Sequence, residues 1–550
     1  MGQLIGLTIP LEGGLDLVTP EYALAKTPGF LKEMINFESY PGGGYRRING
    51  YKKWSTATPT SATTRLYGVC QYADGVVAVQ GVGATVNYNV YWTTDGITWY
   101  LVNSASLAGG VPGVSGGSAT ITGLTATTRA SVPGQVQFVV YEGNTEYGEL
   151  FILDGANNIA RFAIASRSGT RYYHFDTITT FTTAQWGAVY KDHLVVGGDT
   201  TNKETIYWSD AYAPTSFTGG TSGSLKFPDK ITGVRSWRDK LFIFGQNSVN
   251  ELSGINGVPA VNTISRNMGC LNGHTIQEVG GDLIWLSPDG FRNLAGTERL
   301  DDIELGTISR RINPLVEDAI DDITTEDVSS FVIREKNQYR MFHCKSTYTD
   351  GQQKGLLATY KMGAQGTQWE WGEIQSIPVA CAWSGINRTG SIATLNYATE
   401  VVLHGGYDGH VYLHDDSETD SFAGSNVYSV ITTPQIDYGD IGVKKTPHWV
   451  ILNGSREGDN DGVFLELKYD YESRDTLQPS PYNLPFNGGF SYYGSAIYGT
   501  STYSTTAYLN ERVLVEGSGF SNSFKIYSQN TQAPYTISGI YVRAYVGKAL

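Results

Sequence analysis

Residues 281–294 read GDLIWLSPDGFRNL and residues 91–99 read YWTTDGITW, and in both an apolar or aromatic run halts at Asp-Gly and then resumes. The same punctuation recurs at Asp95-Gly96, Asp154-Gly155, Asp289-Gly290 and Asp408-Gly409. An aspartate carboxylate accepts hydrogen bonds from the free amides of a tight turn and glycine tolerates positive φ, so each pair reads as a turn between strands rather than as a catalytic aspartate. Short strand-like runs flank these turns throughout: RLYGVCQY at 65–72, VQFVVYE at 136–142, AVYKDHLVVGG at 188–198, KLFIFGQNSVNELS at 240–253, FVIREKNQYRMFHC at 331–344 and DGHVYLHDD at 408–416. Helical periodicity is confined to INPLVEDAIDDI at 312–323, with Leu315, Val316, Ala319 and Ile320 on one face, and to a short stretch at 19–27. Many short antiparallel strands in succession predict an all-β chain folded as a β-propeller, because radial repetition keeps each sheet small and shields its edges. Six or seven degenerate blades fit the length.

Composition changes along the chain divide it into three parts. Residues 1–60 form an N-terminal arm and the start of the propeller, and they are a candidate attachment region. Residues 61–420 hold the propeller, with a nearly uncharged Gly/Ser/Thr-rich insertion near 104–134. After DDSETDSF at 415–422 the alternating runs lengthen, as in GVFLELKYDYES at 462–473 and YTISGIYVRAYVG at 535–547, which predicts a β-sandwich-like domain over 421–550. Within it the Tyr/Gly-rich segment 483–510 is too long for a tight turn and reads as a projecting loop.

Lys and Arg number 39 against 53 Asp and Glu, a formal charge of −14 that opposes accumulation on polyanions. Cys70, Cys270, Cys344 and Cys381 are too widely spaced for a metal set or a disulfide scaffold and read as buried thiols. The start MGQLIGLTIPLEGG lacks the basic-then-apolar pattern of a secretory signal, and no apolar run reaches the length of a helical membrane span, so a soluble product is expected.

Chemistry-bearing motifs are sparse. TTDGITW at 93–99 resembles the Asp-box turn of some glycosidase propellers, but Asp95 and Gly96 are adjacent where that motif has a residue between them. Glycoside hydrolysis needs two carboxylates flanking the scissile bond, and no pair is singled out. His410 and His414 would share one face of a strand about 13 Å apart, too far for one metal ion. Ser209-Asp210 and Ser236 near Asp239 lack the turn of a nucleophile elbow. PGGGYRRINGYKK at 41–53 has glycines and cations without the spacing of a phosphate-binding loop. Its Arg46, Arg47, Lys52 and Lys53 are the candidates for contact with a DNA backbone or with an acidic neighbour. The expectation is therefore no catalytic centre, no metal and no cofactor.

Several ordered segments resemble the tail nozzle proteins of short-tailed bacteriophages, the packaged-DNA stabilisation group. They are ALAKTPGFLKEMINFESYPGGGYRRINGY at 23–51, YWSDAYAPTSF at 207–217, ITGVRSWRDKLFIFGQNSVNELS at 231–253, NMGCLNGHTIQEVGGDLIWLSPDGFRNL at 267–294 and LGTISRRI at 305–312. They cover much of residues 20–312, and the resemblance weakens after about residue 420. It implies a structural virion protein rather than an enzyme: a homo-hexameric ring below the portal or adaptor that retains packaged DNA and forms its exit channel. The implied partners are the portal or adaptor, a tail needle or distal tail protein, and a host-recognition fibre or spike. Contact with double-stranded DNA is expected to be transient and independent of sequence, possible roles for Arg46, Arg47, Lys52 and Lys53 being DNA-backbone or adaptor contacts. Its place is the short tail of the virion, assembled in the host cytoplasm. The alternative is a phage-associated glycan-binding or glycan-degrading propeller.

Overall fold

The structure, a computed structural model, describes residues 3–547 apart from 28, 61–63, 82–86, 103–126, 129–134, 144, 146, 168–169, 179, 182, 296–306, 324–327, 344–352, 364–365, 388–397 and 487–507. Most of the insertion near 104–134, most of the loop at 483–510, and Cys344 lie outside the described residues.

Seven antiparallel groups of strands are arranged as blades around an axis, six of them small separate sheets and one the end of a larger sheet. Their innermost strands are Leu66–Tyr72, Gln137–Tyr141, Trp186–Tyr190, Ile231–Trp237, Gln277–Val279, Val328–Ile333 and Cys381–Ile386. Each touches the next, blades 4 and 5 through the 3₁₀ turn Gly273–Thr275, and the last touches the first, so the ring is closed. The propeller thus has seven blades. Blade 5 has only three strands, Gln277–Val279, Asp282–Ser287 and Gly290–Asn293. Apolar residues between blades hold them together, for example Trp186, Ile206, Ile231, Val234 and Leu252 between blades 3 and 4.

All four Asp-Gly pairs mark turns between paired strands of one blade, Gly290 being the first residue of its strand. Asp154 Oδ1 accepts from the amides of Ala156 at 2.7 Å and Asn157 at 2.8 Å, and Asp95 Oδ1 accepts from Ile97 at 2.9 Å and Thr98 at 2.8 Å. The aspartates therefore close turns, as their residue types require.

The N-terminal arm is built into both halves of the molecule. Gly50–Lys53 pairs with Val411–Asp416 and supplies the outermost strand of blade 7, so the ring is closed by two ends of sequence. Glu33–Ile35 pairs in parallel with the outer strand of blade 6, Gly366–Gln375, and antiparallel with Val427–Thr432. Blade 6 consequently runs on without a break into Asn522–Asn530, Asn460–Tyr469 and Tyr482–Phe486, a nine-stranded sheet shared by propeller and C-terminal domain. A second, six-stranded sheet faces it. It contains Phe37–Ser39, Tyr45–Arg47, Tyr535–Val546, Lys445–Arg456 and Tyr508–Leu514, with Gln3–Pro10 paired to Tyr535–Val546.

The two sheets enclose one apolar core in which Phe37, Val450, Leu465, Ile526 and Ile540 are buried, and the same core continues to Phe291, Val316, Tyr339 and Trp371 of the propeller side. This is the expected sandwich, but its strands come from both termini. The helix Asn313–Ile323 buries Val316 and Ala319 against that core, with Leu315 and Ile320 half-buried beside them. The second helical stretch shrinks to Glu21–Leu24, behind Pro20.

Candidate functional sites

The basic cluster of the arm is dispersed by the fold. Arg46 lies inside, giving Nη1 to Glu38 at 3.0 Å and Nη2 to Glu457 at 2.6 Å and Asn49 at 2.7 Å. Arg47 is fully buried and donates to Asn530 at 2.9 Å and to the carbonyls of Asp420 and Gln532. Burial lowers its pKa. Neither guanidinium is placed to meet a phosphate backbone or an adaptor; both are consumed in joining the arm to the sandwich, because a buried cation must find acceptors within its own chain. Lys52 and Lys53 remain about half exposed, Lys52 on Asp416 at 2.8 Å and Glu418 at 3.6 Å, and Lys53 on Asp408 at 3.5 Å.

Arg46 is one member of a larger network at the junction of propeller and sandwich. Arg340, from blade 6 and 0 % exposed, donates Nη2 to Glu38 at 3.1 Å and to Asp415 of blade 7 at 3.0 Å. Lys336 meets the same two carboxylates at 2.8 and 2.7 Å. Burial acts to raise the Asp415 pKa, but Lys336 and Arg340 outweigh it and hold the carboxyl below its ordinary value. His414 stands 2.9 Å from Arg340 and 3.2 Å from His404, both rings buried. His410 instead faces the carbonyl of Ser55 at 3.2 Å, so the His410/His414 pair never converges. Among the described residues no three His, Cys, Asp or Glu side chains gather as a metal set. Ser209 and Asp210 are likewise committed to the fold: Ser209 Oγ accepts from Leu194 N at 2.9 Å, and Asp210 gathers Ser216, Thr221 and Ser222 at 2.7 to 3.0 Å.

Two further features were not singled out by the sequence. The first is the propeller axis. At the face where the innermost strands turn outward, a cleft of about 780 Å³ opens between blades 1, 2, 6 and 7, walled by Gln71, Glu142, Tyr147, Arg334, Trp383 and Ile386. Deeper on the axis, an about 140 Å³ cavity is lined by the innermost strands of six blades, including Gln135, Arg235, Gln277, Ser330 and Trp383. Burial lowers the Arg235 pKa, with Glu278 opposing that shift and Arg334 adding to it.

The second feature is the outer face of the six-stranded sheet. Trp449 is stacked between two guanidinium groups, Arg512 at 4.4 Å and Arg543 at 5.5 Å from its ring. Tyr541 leans on the same indole at 5.6 Å, and Tyr545 packs on His448 at 5.9 Å. Strand register sets Leu4, Tyr545, Leu514 and Tyr508 on this face, with Leu514 63 % and Tyr508 82 % exposed. Neither Arg512 nor Arg543 makes an ion pair among the described residues. Alternation along three neighbouring strands is the signal that could have revealed this patch; its partners lie far apart in sequence.

No protein-family model and no curated protein matches the sequence. Among solved structures the chain is similar to the Pan2 WD40 domain of Neurospora crassa, at 9 % identity and a TM-score of 0.34, over 66 % of this chain and 95 % of that one. It is also similar to an exo-β-1,3-galactanase of Phanerochaete chrysosporium, at 11 % identity and a TM-score of 0.26, over 90 % of this chain and 100 % of that one. At these values the likeness carries no functional argument.

Proposed function

We propose that the chain is a structural subunit of a virion nozzle, a ring below the portal or adaptor of a short-tailed phage that retains packaged DNA and lines its way out. The reading starts from the ordered nozzle-like segments, and the fold gives those segments architectural work. Residues 23–51 thread the sandwich and close blade 7, while 231–253 and 267–294 build blades 4 and 5.

The structural observation that carries the reading is the uncovered Trp449–Arg512–Arg543 face. Trp, Tyr and Arg are the side chains that anchor protein interfaces, and here they stand beside exposed leucines on a chain of charge −14. Two unpaired guanidinium groups call for an acidic partner, and a neighbouring copy offers one: the helix Asn313–Ile323 presents Glu317, Asp318 and Asp321 outward. A contact between different surfaces of identical chains closes into a ring when the rotation permits. The mass of assembled tail complexes tests this, with six copies expected; a single copy per particle contradicts it.

The mouth cleft, with Trp383 and Tyr147 in its wall, keeps glycan binding as a second reading. Glycan cleavage has less support, because the axial cavity presents Arg235, Gln135, Gln277 and Ser330 where a glycosidase would aim two carboxylates. Screening the purified chain against host surface glycans separates the readings: saturable binding abolished by Trp383→Ala would favour the second.

A further inference from the structure

We propose that the axial cavity is a binding site for one small oxyanion, held by Arg235 where the innermost strands of six blades meet. The inference is independent of the nozzle reading. Arg235 sits on the innermost strand of blade 4, and its guanidinium makes no hydrogen bond or ion pair among the described residues. The polar groups around it are already committed to the cavity wall. Gln135 gives Nε2 to the carbonyl of Ala380 at 2.7 Å, Gln277 gives Nε2 to that of Ser330 at 2.9 Å, and Ser330 Oγ donates to the carbonyl of His274 at 2.5 Å.

The Arg235 guanidinium lines the cavity wall part-exposed and with no counter-charge from its own chain among the described residues, a setting in which a bound oxyanion supplies a charge-assisted partner. The acid that acts on it is Glu278, which is exposed and forms no ion pair with it, and Arg334 adds repulsion from the mouth. Five N–H donors in a planar fork match the paired oxygens of an oxyanion better than they match a spherical halide. The volume of about 140 Å³ compares with about 30 Å³ for one water in the liquid, so a phosphate-sized ion fits. Blades 1, 2, 5, 6 and 7 line the same space. An anion there ties blade 4 to the rest across the axis and stabilises the folded chain by linkage.

Inorganic phosphate is the probe. Thermal unfolding of the full chain is followed in increasing phosphate at constant ionic strength, with chloride as the balancing anion, and one-site binding is read independently from phosphorus NMR line widths. The wild-type Tm should climb with the logarithm of phosphate concentration. Arg235→Met should lose that dependence while matching or exceeding the wild type without phosphate, because the lone cation is gone. Arg235→Lys, which keeps the charge and loses the fork, should weaken phosphate binding by about tenfold. A phosphate response unchanged by Arg235→Met, or a wild-type chain with no saturable phosphate signal by NMR, would overturn the proposal; the NMR arm decides even if the variants fold poorly.

Discussion

His404 and His414 are imidazoles held neutral by their surroundings. Burial drives the His404 pKa down from 6.5 to about 3, only weakly opposed by Asp408. Burial also lowers that of His414, reinforced by Arg340, His404 and Lys336. Since the folded pKa values are depressed, unfolding takes up protons: their stabilising contribution is complete above pH 6.5 and drains away as the pH falls below it, for His404 down to about 3. Each such histidine adds about 1.4 kcal/mol of lost stability per pH unit inside that window. Urea unfolding at successive pH values should therefore show a shallower acid decline in His404→Phe than in the wild type; equal slopes would count against the assignment. Beside them, Arg340→Ala leaves Glu38 and Asp415 buried with one fewer cation. A loss of about 3–5 kcal/mol is expected for breaking a buried pair in this way, read from the same urea curves.

At the scale of elements, the Pro-Gly-Gly-Gly run of the arm shows what was legible and what was not. Read locally, it is a turn beside cations. Its governing constraint is long-range: Gly44 has φ +85°, and a Cβ there would stand 2.2 Å from the carbonyl oxygen of Ile537. Gly44→Ala should accordingly destabilise by at least about 1–3 kcal/mol, lowering Tm. The Asp-Gly turns, the helix at 313–323 and the individual strands were legible because turn chemistry and periodicity are local. The blade count was not, because blade 5 stops at three strands and the outer strand of blade 6 continues into another domain. Nor was the arm, whose residue Gln3 pairs with Val546. For the same reason Arg46 and Arg47 looked like surface cations; only the distant Glu457, Asn530 and Gln532 make them interior ones. Deleting residues 1–10 strips the partner strand from residues 539–546 and bares a long strand edge, which invites pairing with other chains. Size-exclusion chromatography of that deletion should show aggregation that the full chain lacks.

At the scale of the whole molecule, the propeller and sandwich share a sheet, a core and a buried ionic network, so force applied to one is transmitted to the other through strand pairing rather than through a linker. That construction suits a fixed wall around a moving polymer. The net charge of −14 suits it as well, since a wall rich in phosphate contacts would slow DNA in proportion to the counterions displaced. The ring contact assigned to the Trp449 face gives its own expectation: Arg512→Glu combined with Arg543→Glu should leave the isolated chain folded, both residues being exposed, yet prevent its incorporation into tails. Native mass spectrometry of tail complexes assembled with the double variant is the check. The most direct test of the account is a density map of the DNA-filled tail. It should show six copies of this chain around the central DNA, with the Trp449 face buried against a neighbouring copy; finding the chain on a peripheral fibre, away from the DNA path and with that face open to solvent, would contradict it.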